Sequence, residues 1–540
     1  MKDLPFSAWI KRASLRVITL CACFSVLALG GVASAERYDV LIRDGSVIDG
    51  TGVPRFHADI AIKGERIAAI GKIDDGVKAK RVINANGLFV APGFIDPHAH
   101  AAPGIEKASL APAAQLLFEG ITTVFLNPDG GGPPTLDNQI ANLKKHKPGV
   151  NTAPAIGHNA VRRAIMGEDD RTPTPEEQAR MEALVRDAMD AGAFGLSSGP
   201  FYTPGKYSKT EEIIGLARVA AEYPGAFHTS HIRDESNYNI GVLGAIDEVI
   251  EVSRKTGIVG VITHLKMLGP AVWGRSGDAI KMINDARDEG LSVWADQYPY
   301  AASGTSLKAA LVPGWARDGG DQKMISRLRD MELRPKIRQE MEKNLERRAG
   351  AHAIMIRNYA PNPDYVGRRL DEVAQDMGVH PLDAAIELLI NDAPSIISFN
   401  MNEYDLEAIM RQPWTMTSSD GTLSEPGVRL EHPRSFGAFP RKIRRYVLER
   451  GVITLEHAIH AATGLTAKVH NVKERGELRV GHYADIIVFD LETIDDTATY
   501  EVPEAMAHGM KYVLVNGKLA LIDGQVADDQ YGRVLLRDKQ

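Results

Sequence analysis

The chain has 540 residues, of which 44% are hydrophobic and 25% charged, and its formal net charge at pH 7 is −7. This composition is typical of a globular protein, and the length exceeds that of one usual domain, so a second module is expected. The acidic balance provides no basic face, which argues against a nucleic-acid partner.

The N-terminal segment predicts a secretory signal peptide over residues 1–35. Basic residues at positions 11, 12 and 16 precede the apolar run 17–29, and the small residues 33–35 offer a cleavage site. A membrane anchor is the alternative, but the run is shorter than the roughly 20 residues that a span needs. Both cysteines, Cys21 and Cys23, lie in this leader. We therefore expect a secreted or periplasmic protein that has no thiol and no membrane association after cleavage.

Strand patterns with glycine turns occur at both ends of the remaining chain. They cover residues 38–49 and 60–70 near the N-terminus and residues 512–519 near the C-terminus, where Asn516-Gly517 is a hairpin signal. We expect these strands to build one small β-sandwich that is discontinuous in sequence. The predicted bounds are 36–92 and 466–540 for the sandwich and 93–465 for the central domain.

Two histidines follow the first strand-like run of the central domain. Residues 88–96 are mostly apolar and predict a buried strand, and His98 and His100 come just after it. Because residues i and i+2 of an extended segment point to the same side, both imidazoles can face one point. Neutral imidazole is a frequent metal ligand, although a chance pair of surface histidines would give the same spacing.

Four further apolar runs each lead to a residue that can bind a metal. The runs are 120–126, 226–230, 258–263 and 414–419, and the residues after them are Asp129, His231, His264 and Asp420. Helical patterns lie between the runs; one covers Glu176–Ala191, and Thr174 and Glu177 resemble a capping box at its start. Alternating strands and helices over roughly 370 residues predict a parallel α/β fold, and ligands at several strand ends suit a (β/α)8 TIM-like barrel.

Motifs along nearly the whole chain after the leader resemble the amidohydrolase superfamily and, within it, the D-aminoacylase (N-acyl-D-amino-acid deacylase) family. They occur in the family's order and include Pro92–His100, Gly120–Val124, Gly192–Gly199, Ser230–Glu235, Thr263–Lys266, Asp296–Tyr300, Ser418–Gly421, His432–Gly437 and Gly481–Asp490. The resemblance implies a hydrolase that cleaves the amide bond of N-acyl amino acids, in particular N-acyl-D-amino acids, with one or two Zn²⁺ ions.

The resemblance also implies roles for the residues at the strand ends. His98, His100, His231, His264 and Asp420 would ligate the metal, and Asp420 would be the general base. Hydroxide held by zinc would attack the amide carbonyl, and the proton taken by Asp420 would pass to the leaving amine. Asp96 and His158 are expected to stay off the metal and to orient neighbouring residues by hydrogen bonds or support the fold.

Asp129 is where this chain departs from the family. D-aminoacylases carry a metal-binding cysteine in the turn after the corresponding strand, and aligning the strands places Asp129 there. A carboxylate can ligate or bridge zinc at about 2.0–2.2 Å, so Asp129 is a sixth candidate ligand. The alternative is a plain turn residue, because Pro-Asp-Gly is itself a turn signal.

The substrate site is predicted with less direct support from the residues. A substrate carboxylate needs a cationic partner, and Lys266 and Arg434 match positions that resemble the family's carboxylate-binding residues. Tyr202 and Tyr298 are expected to line the pocket or to donate to the carbonyl oxygen, although either could simply pack. The segment from about 303 to 361, with a charged helical pattern at 336–348, interrupts the barrel and is expected to be a lid rather than a decorative subdomain.

Two other functions remain open on the sequence. One is another amidohydrolase of the dihydroorotase, hydantoinase or isoaspartyl dipeptidase type; such relatives often use a carboxylated lysine, and the segment Ala193–Gly199 offers none. The other is a non-catalytic binding protein on an inactive barrel, against which the complete set of candidate ligands argues. The acyl group, the stereospecificity and the oligomeric state are not predicted.

Overall fold

The computed structural model describes residues 37–427 and 430–539. The predicted signal peptide and both cysteines lie outside the described residues. Within these two ranges we find no helix with the length and apolarity of a membrane span.

The described residues form twenty-one strands and seventeen α-helices, together with short 3₁₀ turns and a π-helix at Lys442–Glu449. The strands are β1 (Arg37–Val47), β2 (Phe56–Lys63), β3 (Arg66–Gly71), β4 (Lys78–Asn84), β5 (Phe89–Pro92), β6 (Phe94–Asp96), β7 (Ile121–Leu126), β8 (Asn151–Pro154), β9 (Ile156–Gly157), β10 (Gly195–Ser198), β11 (Phe227–Ser230), β12 (Val259–Ile262), β13 (Val293–Gln297), β14 (Ser303–Ser306), β15 (Ile354–Ile356), β16 (Ser395–Ser398), β17 (Thr415–Thr417), β18 (Ile486–Phe489), β19 (Met510–Val515), β20 (Lys518–Ile522) and β21 (Gln525–Val526). The α-helices are α1 (Ala114–Phe118), α2 (Asp137–His146), α3 (His158–Met166), α4 (Pro175–Asp190), α5 (Thr210–Ala221), α6 (Gly241–Thr256), α7 (Ser276–Asp288), α8 (Leu307–Leu311), α9 (Gly314–Arg317), α10 (Asp321–Arg329), α11 (Arg334–Arg347), α12 (Leu370–Met377), α13 (Pro381–Asn391), α14 (Glu403–Met410), α15 (Arg434–Arg441), α16 (Leu455–Ala462) and α17 (Gly464–Val469).

Both ends of the described chain contribute to one nine-stranded sheet, in the order β21-β20-β19-β18-β5-β1-β2-β3, with β4 also pairing with β1. Alternate residues of β18 and β19 point to opposite faces: Ile486 and Leu514 share a hydrophobic core with β1 and β2, whereas Ile487 and Val513 pack against the barrel. The predicted Asn516-Gly517 hairpin joins β19 to β20, with positive φ at both residues. Strands β18–β21 span 486–526, and residues 534–536 pack on the barrel instead.

Eight parallel strands form the predicted (β/α)8 barrel, and one of them is divided into β8 and β9. Strands β9 to β13 and β17 make one parallel sheet, and β6, β7 and β8 make another. The two sheets join at Ala155, where β8 and β9 are successive halves of one strand, and between β6 and β17, where the His100 amide donates to the Gly421 carbonyl at 2.7 Å. All the strands run in one direction, so their carboxyl ends share one face of the barrel.

The predicted strand over residues 88–96 is two strands. β5 belongs to the nine-stranded sheet and β6 to the barrel, and Gly93 separates them. A Cβ atom at Gly93 would lie 2.2 Å from the hydroxyl oxygen of Thr122, so only glycine fits at this crossing.

The helix predicted at Glu176–Ala191 is confirmed as α4. It begins after Thr174, whose side chain accepts from the Glu177 amide while the Glu177 carboxylate accepts from the Thr174 amide. These reciprocal bonds satisfy two of the amide groups that a helix start leaves unpaired.

A subdomain is inserted between β13 and β17. Its antiparallel sheet has the order β14-β16-β15, and helices α8–α13 surround a separate hydrophobic core. The insertion was predicted at about 303–361, whereas its elements run from Ser303 to Ser398, because β16 pairs with both β14 and β15. The charged helical pattern corresponds to α11, which buries Ile337 and Met341 and leaves its charged side toward solvent.

Candidate metal centre

Six side chains converge at the carboxyl ends of the barrel strands. They come from the segments after β6 (His98, His100), β7 (Asp129), β11 (His231), β12 (His264) and β17 (Asp420), as the sequence predicted. Five loops thus contribute to one site, because parallel barrel strands end at a common face.

The nitrogen and oxygen atoms of these side chains have the spacing of metal ligands. The Nε2 atoms of His98 and His100 each lie 3.4 Å from an oxygen of Asp129. Two ligands held by zinc at about 2.05 Å in a tetrahedral site are about 3.3 Å apart. The separations therefore exceed a usual hydrogen bond and match an edge of a zinc coordination polyhedron.

Asp129 lies between two possible metal positions. Its Oδ1 is 3.7 Å from His264 Nε2, and its Oδ2 is 3.6 Å from His231 Nδ1. The same carboxylate also faces His98 and His100, so it takes part in two of the three ligand groups that can hold an ion. In this position one carboxylate can serve both ions of a binuclear site.

The fit to a metal is supported by polar atoms that have no hydrogen-bond partner in the part of the chain that the structure describes. Neither ring nitrogen of His98 or His231 makes a hydrogen bond among the described residues, nor does Asp129 Oδ1, and all of these atoms are buried. Buried polar groups are nearly always paired, so unpaired ones that face a common point indicate a bound ligand. The donor set of imidazoles and carboxylates suits Zn²⁺.

The pKa values of the histidines also fit a metal site. Burial lowers the pKa of His98 to about 3, which leaves its imidazole neutral and able to ligate. Burial acts in the same direction on His100, but the adjacent carboxylates of Asp129 and Asp420 raise its pKa to about 9. Without a cation the two carboxylates hold a proton on this histidine, so metal binding would release that proton.

Hydrogen bonds behind the ligands fix their orientation. Asp96 accepts from the backbone amides of His98 and Ser419, both at 3.1 Å, which is the orienting role predicted for it. Asp296 accepts from the His264 amide at 2.9 Å and from the Ser418 hydroxyl at 2.6 Å. His158 lies outside the site; it is buried beside Glu212 at 2.8 Å.

Three of the candidate ligands have left-handed backbone conformations. The φ angles are 56° at Asp129, 38° at His264 and 49° at Asp420. Positive φ is unfavourable for residues other than glycine, and asparagine, aspartate and histidine tolerate it best. Such strain accumulates at functional sites, where it turns side chains inward just past the strand ends.

The ligands lie at the bottom of a cavity of about 780 Å³ between the barrel and the insertion. Of the ten predicted site residues, nine line this cavity, and His98 is buried beneath it. The ring of Tyr298 lies between two cations, with Lys266 Nζ 5.5 Å and Arg434 Cζ 4.7 Å from its centroid. The Tyr202 ring packs on His231, and its hydroxyl lies 3.5 Å from Thr305 of the insertion.

Glu235 also belongs to the site, although its sequence position alone predicted no role for it. Its Oε1 lies 3.1 Å from His264 Nδ1, and it forms an ion pair with Lys266. Lys266 Nζ lies 2.7 Å from the same nitrogen, so the ion pair of Glu235 and Lys266 borders the far side of the His264 ring and holds the orientation of that candidate ligand. In the sequence, the indication of this role was that Glu235 lies four residues after His231 in the motif Ser230–Glu235.

Comparison with known proteins shows which family the chain matches. The model of the amidohydrolase family matches residues 81–520. An N-acyl-D-glutamate deacylase of Alcaligenes xylosoxydans xylosoxydans is 36% identical over 93% of this chain and 97% of its own length. A D-aminoacylase of the same organism is 32% identical over 94% and 99%.

A solved structure agrees with these sequence relatives. The N-acyl-D-glutamate deacylase of Bordetella bronchiseptica, complexed with zinc and a phosphonate that mimics the tetrahedral intermediate, has a TM-score of 0.80 and 34% identity. The match covers 93% of this chain and all of that one. The relative therefore contains, in a closely similar fold, the metal predicted for this site.

Proposed function

Since the chain belongs to the amidohydrolase family, we propose that it is a zinc-dependent deacylase that hydrolyses the amide bond of N-acyl-D-amino acids. The observation that carries this proposal is the placement of four histidines and two aspartates at the spacing of metal ligands, on the floor of a cavity that contains unengaged hydrogen-bonding groups.

Zinc bound by these residues would supply a Lewis acid that polarises the amide carbonyl and lowers the pKa of water. Asp420 accepts the proton of the attacking water as the water oxygen bonds to the carbonyl carbon. Asp420 then delivers that proton to the nitrogen as the C–N bond breaks, which releases a free amine and a carboxylic acid that loses its remaining proton to solvent. Asp420 is suited to this role because its Oδ1 faces the metal ligands His98 and His100.

The cations near Tyr298 would bind the α-carboxylate of the substrate. Arg434 and Lys266 both lie near the Tyr298 ring and line the cavity, so a carboxylate bound beside them would be attracted to both charges. Tyr202, across the cavity from them, is assigned to the carbonyl side of the amide because its ring packs against the ligand His231.

We also propose that the protein is exported. The support is the basic, apolar and small-residue order of positions 11–35. N-terminal sequencing of the protein from a periplasmic fraction should begin just after Ala35, and a chain that keeps Met1 in the cytoplasm would contradict export.

The activity is tested by incubating zinc-loaded protein with N-acetyl-D- and N-acetyl-L-amino acids and measuring free amine. We expect release from D substrates, loss of release after chelation and recovery with added zinc. The protein with Asp420→Asn serves as the control for contaminating hydrolases. A zinc-loaded, folded protein that releases no amine from any member of the panel would contradict the proposal.

A further inference from the structure

Two cationic side chains meet between the barrel and the insertion, and neither is among the residues that line the cavity above the metal centre. Lys206 lies in the loop between β10 and α5, and Arg317 is the last residue of α9 in the insertion. Lys206 packs on Gly314 at the start of α9, where an added Cβ would lie 2.8 Å from the lysine Cε and 3.3 Å from its Nζ. Residues three apart share a helix face, so Arg317 lies on the side of α9 that Lys206 covers.

The guanidinium of Arg317 is buried and has no partner in the part of the chain that the structure describes. Only 6% of the residue is exposed. Its Nε and Nη2 atoms are buried and donate no hydrogen bond, and the guanidinium forms no ion pair within 4.0 Å among these residues. The carboxylate of Asp321, whose charge acts on Arg317, pairs with Lys308 at 2.8 Å instead. Buried polar groups are nearly always paired, so the two free N–H groups indicate a ligand.

Lys206 has no close counter-ion within the described ranges either. Asp234, whose charge acts on Lys206, accepts instead from three backbone amides, at 2.9, 2.7 and 3.0 Å. Asp170 also acts on Lys206, but no ion pair joins the two side chains within 4.0 Å. Burial and the charge of Arg317 lower the pKa of Lys206 to about 7. The two cations therefore repel each other in a place where the protein supplies no neutralising partner.

A buried charge without a counter-ion is costly, so such a group usually pairs with an anion or binds one. A guanidinium presents N–H groups in a plane that match two oxygens of an oxyanion, and an ammonium adds a compact point charge. One oxyanion between Lys206 and Arg317 would neutralise both cations and complete the hydrogen bonds of Arg317.

We propose that Lys206 and Arg317 form an anion-binding site for a small inorganic oxyanion of the sulfate or phosphate type. The site is separate from the substrate cavity and does not depend on the deacylase function. Because Lys206 belongs to a barrel loop and Arg317 to the insertion, the bound anion joins the two parts. It holds the insertion against the loop that also carries Tyr202.

The test is a calorimetric titration of zinc-loaded protein with sulfate at constant ionic strength; sulfate avoids the precipitation of zinc phosphate. We expect one sulfate per chain. Arg317→Met and Lys206→Met should each weaken its affinity by about 10–100-fold, because each removes a charge-assisted hydrogen bond. Lys323→Met, an exposed cation on α10, is the matched control and should bind sulfate like the wild-type protein. No binding by the wild-type protein, or equal affinity in Arg317→Met, would overturn the proposal.

The position of the anion provides a second readout that needs no variant, so it decides the question even if Arg317→Met or Lys206→Met fails to fold. Crystals of the wild-type protein soaked in selenate should show an anomalous scattering peak between Lys206 Nζ and the Arg317 guanidinium. Peaks at other positions only, such as the cations Arg434 and Lys266 of the cavity, would overturn the proposal. Neither measurement uses turnover, so an inactive protein would contradict the deacylase function and leave this test intact.

Discussion

The guanidinium of Arg434 and the carboxylate of Asp420 form a buried ion pair in which Nη1 lies 2.8 Å from Oδ2. Burial by itself would raise the pKa of Asp420, but the charge of Arg434 and the neighbouring histidines lower that pKa well below its usual value. The remaining oxygen, Oδ1, points to His100 Nε2 at 3.2 Å. One carboxylate thus joins the cation assigned to the substrate to the ligands assigned to the metal.

Removing the charge of Asp420 should separate metal binding from turnover. In Asp420→Asn the four histidines and Asp129 remain, so zinc content should stay largely unchanged. The value of kcat should fall by about 10²–10⁴, the usual contribution of a general acid–base group. Zinc analysis and steady-state kinetics on the same preparation check this, and an unchanged kcat would remove Asp420 from the role.

Glu235 should control the affinity for the metal through His264. Glu235→Gln keeps the shape of the side chain but weakens the acceptor that holds the His264 ring, so zinc affinity should fall by about 10–100-fold. Competition with a chromogenic chelator measures the affinity. Glu289→Gln, an exposed change on the barrel exterior, should leave it unaltered. Equal affinity in Glu235→Gln and the wild-type protein would show that Glu235 only neutralises Lys266.

Lys442 should make the stability of the fold depend on pH. Its Nζ is buried and donates to the Thr417 hydroxyl of β17 at 2.7 Å, and burial lowers its pKa to about 7. An unfolded lysine has a pKa of about 10.4, so between these values the unfolded state binds more protons and stability rises with pH. The charged, buried ammonium of Lys442 therefore destabilises the fold fully below pH 7. This destabilisation disappears above the pKa of the lysine in the unfolded chain.

The variant Lys442→Met removes this titration. Its melting temperature should therefore rise less between pH 7 and 10 than that of the wild-type protein, as measured by calorimetry at matched ionic strength. Lys281→Met, at an exposed helical position, is the control and should follow the wild-type profile. Parallel profiles for Lys442→Met and the wild-type protein would contradict a neutral buried lysine.

The sequence predicted the barrel, the two-ended sheet and the strand ends from which the candidate metal ligands converge, because each depends on short local patterns. His98, His231 and Asp420 directly follow apolar runs, and parallel strands bring their ends together without further information. Glu235 was not assigned because its significance depends on partners distant in sequence, Lys266 and His264. The predicted end of the insertion, at about residue 361, falls short of β16, since β16 belongs to the insertion through antiparallel pairing that no local pattern records.

We propose that Asp129 is the ligand shared between the two metal positions rather than a turn residue. Asparagine suits the same turn and the same positive φ, so Asp129→Asn changes the charge and little else. Asp129→Cys is the companion variant and should retain metal with altered metal preference, because thiolate is a softer ligand than carboxylate. The decisive measurement is the zinc content per chain and kcat of Asp129→Asn beside the wild-type protein. If Asp129 is the shared ligand, Asp129→Asn should lose at least one zinc equivalent and most activity. Full zinc content with normal turnover would contradict the role of Asp129 as a ligand.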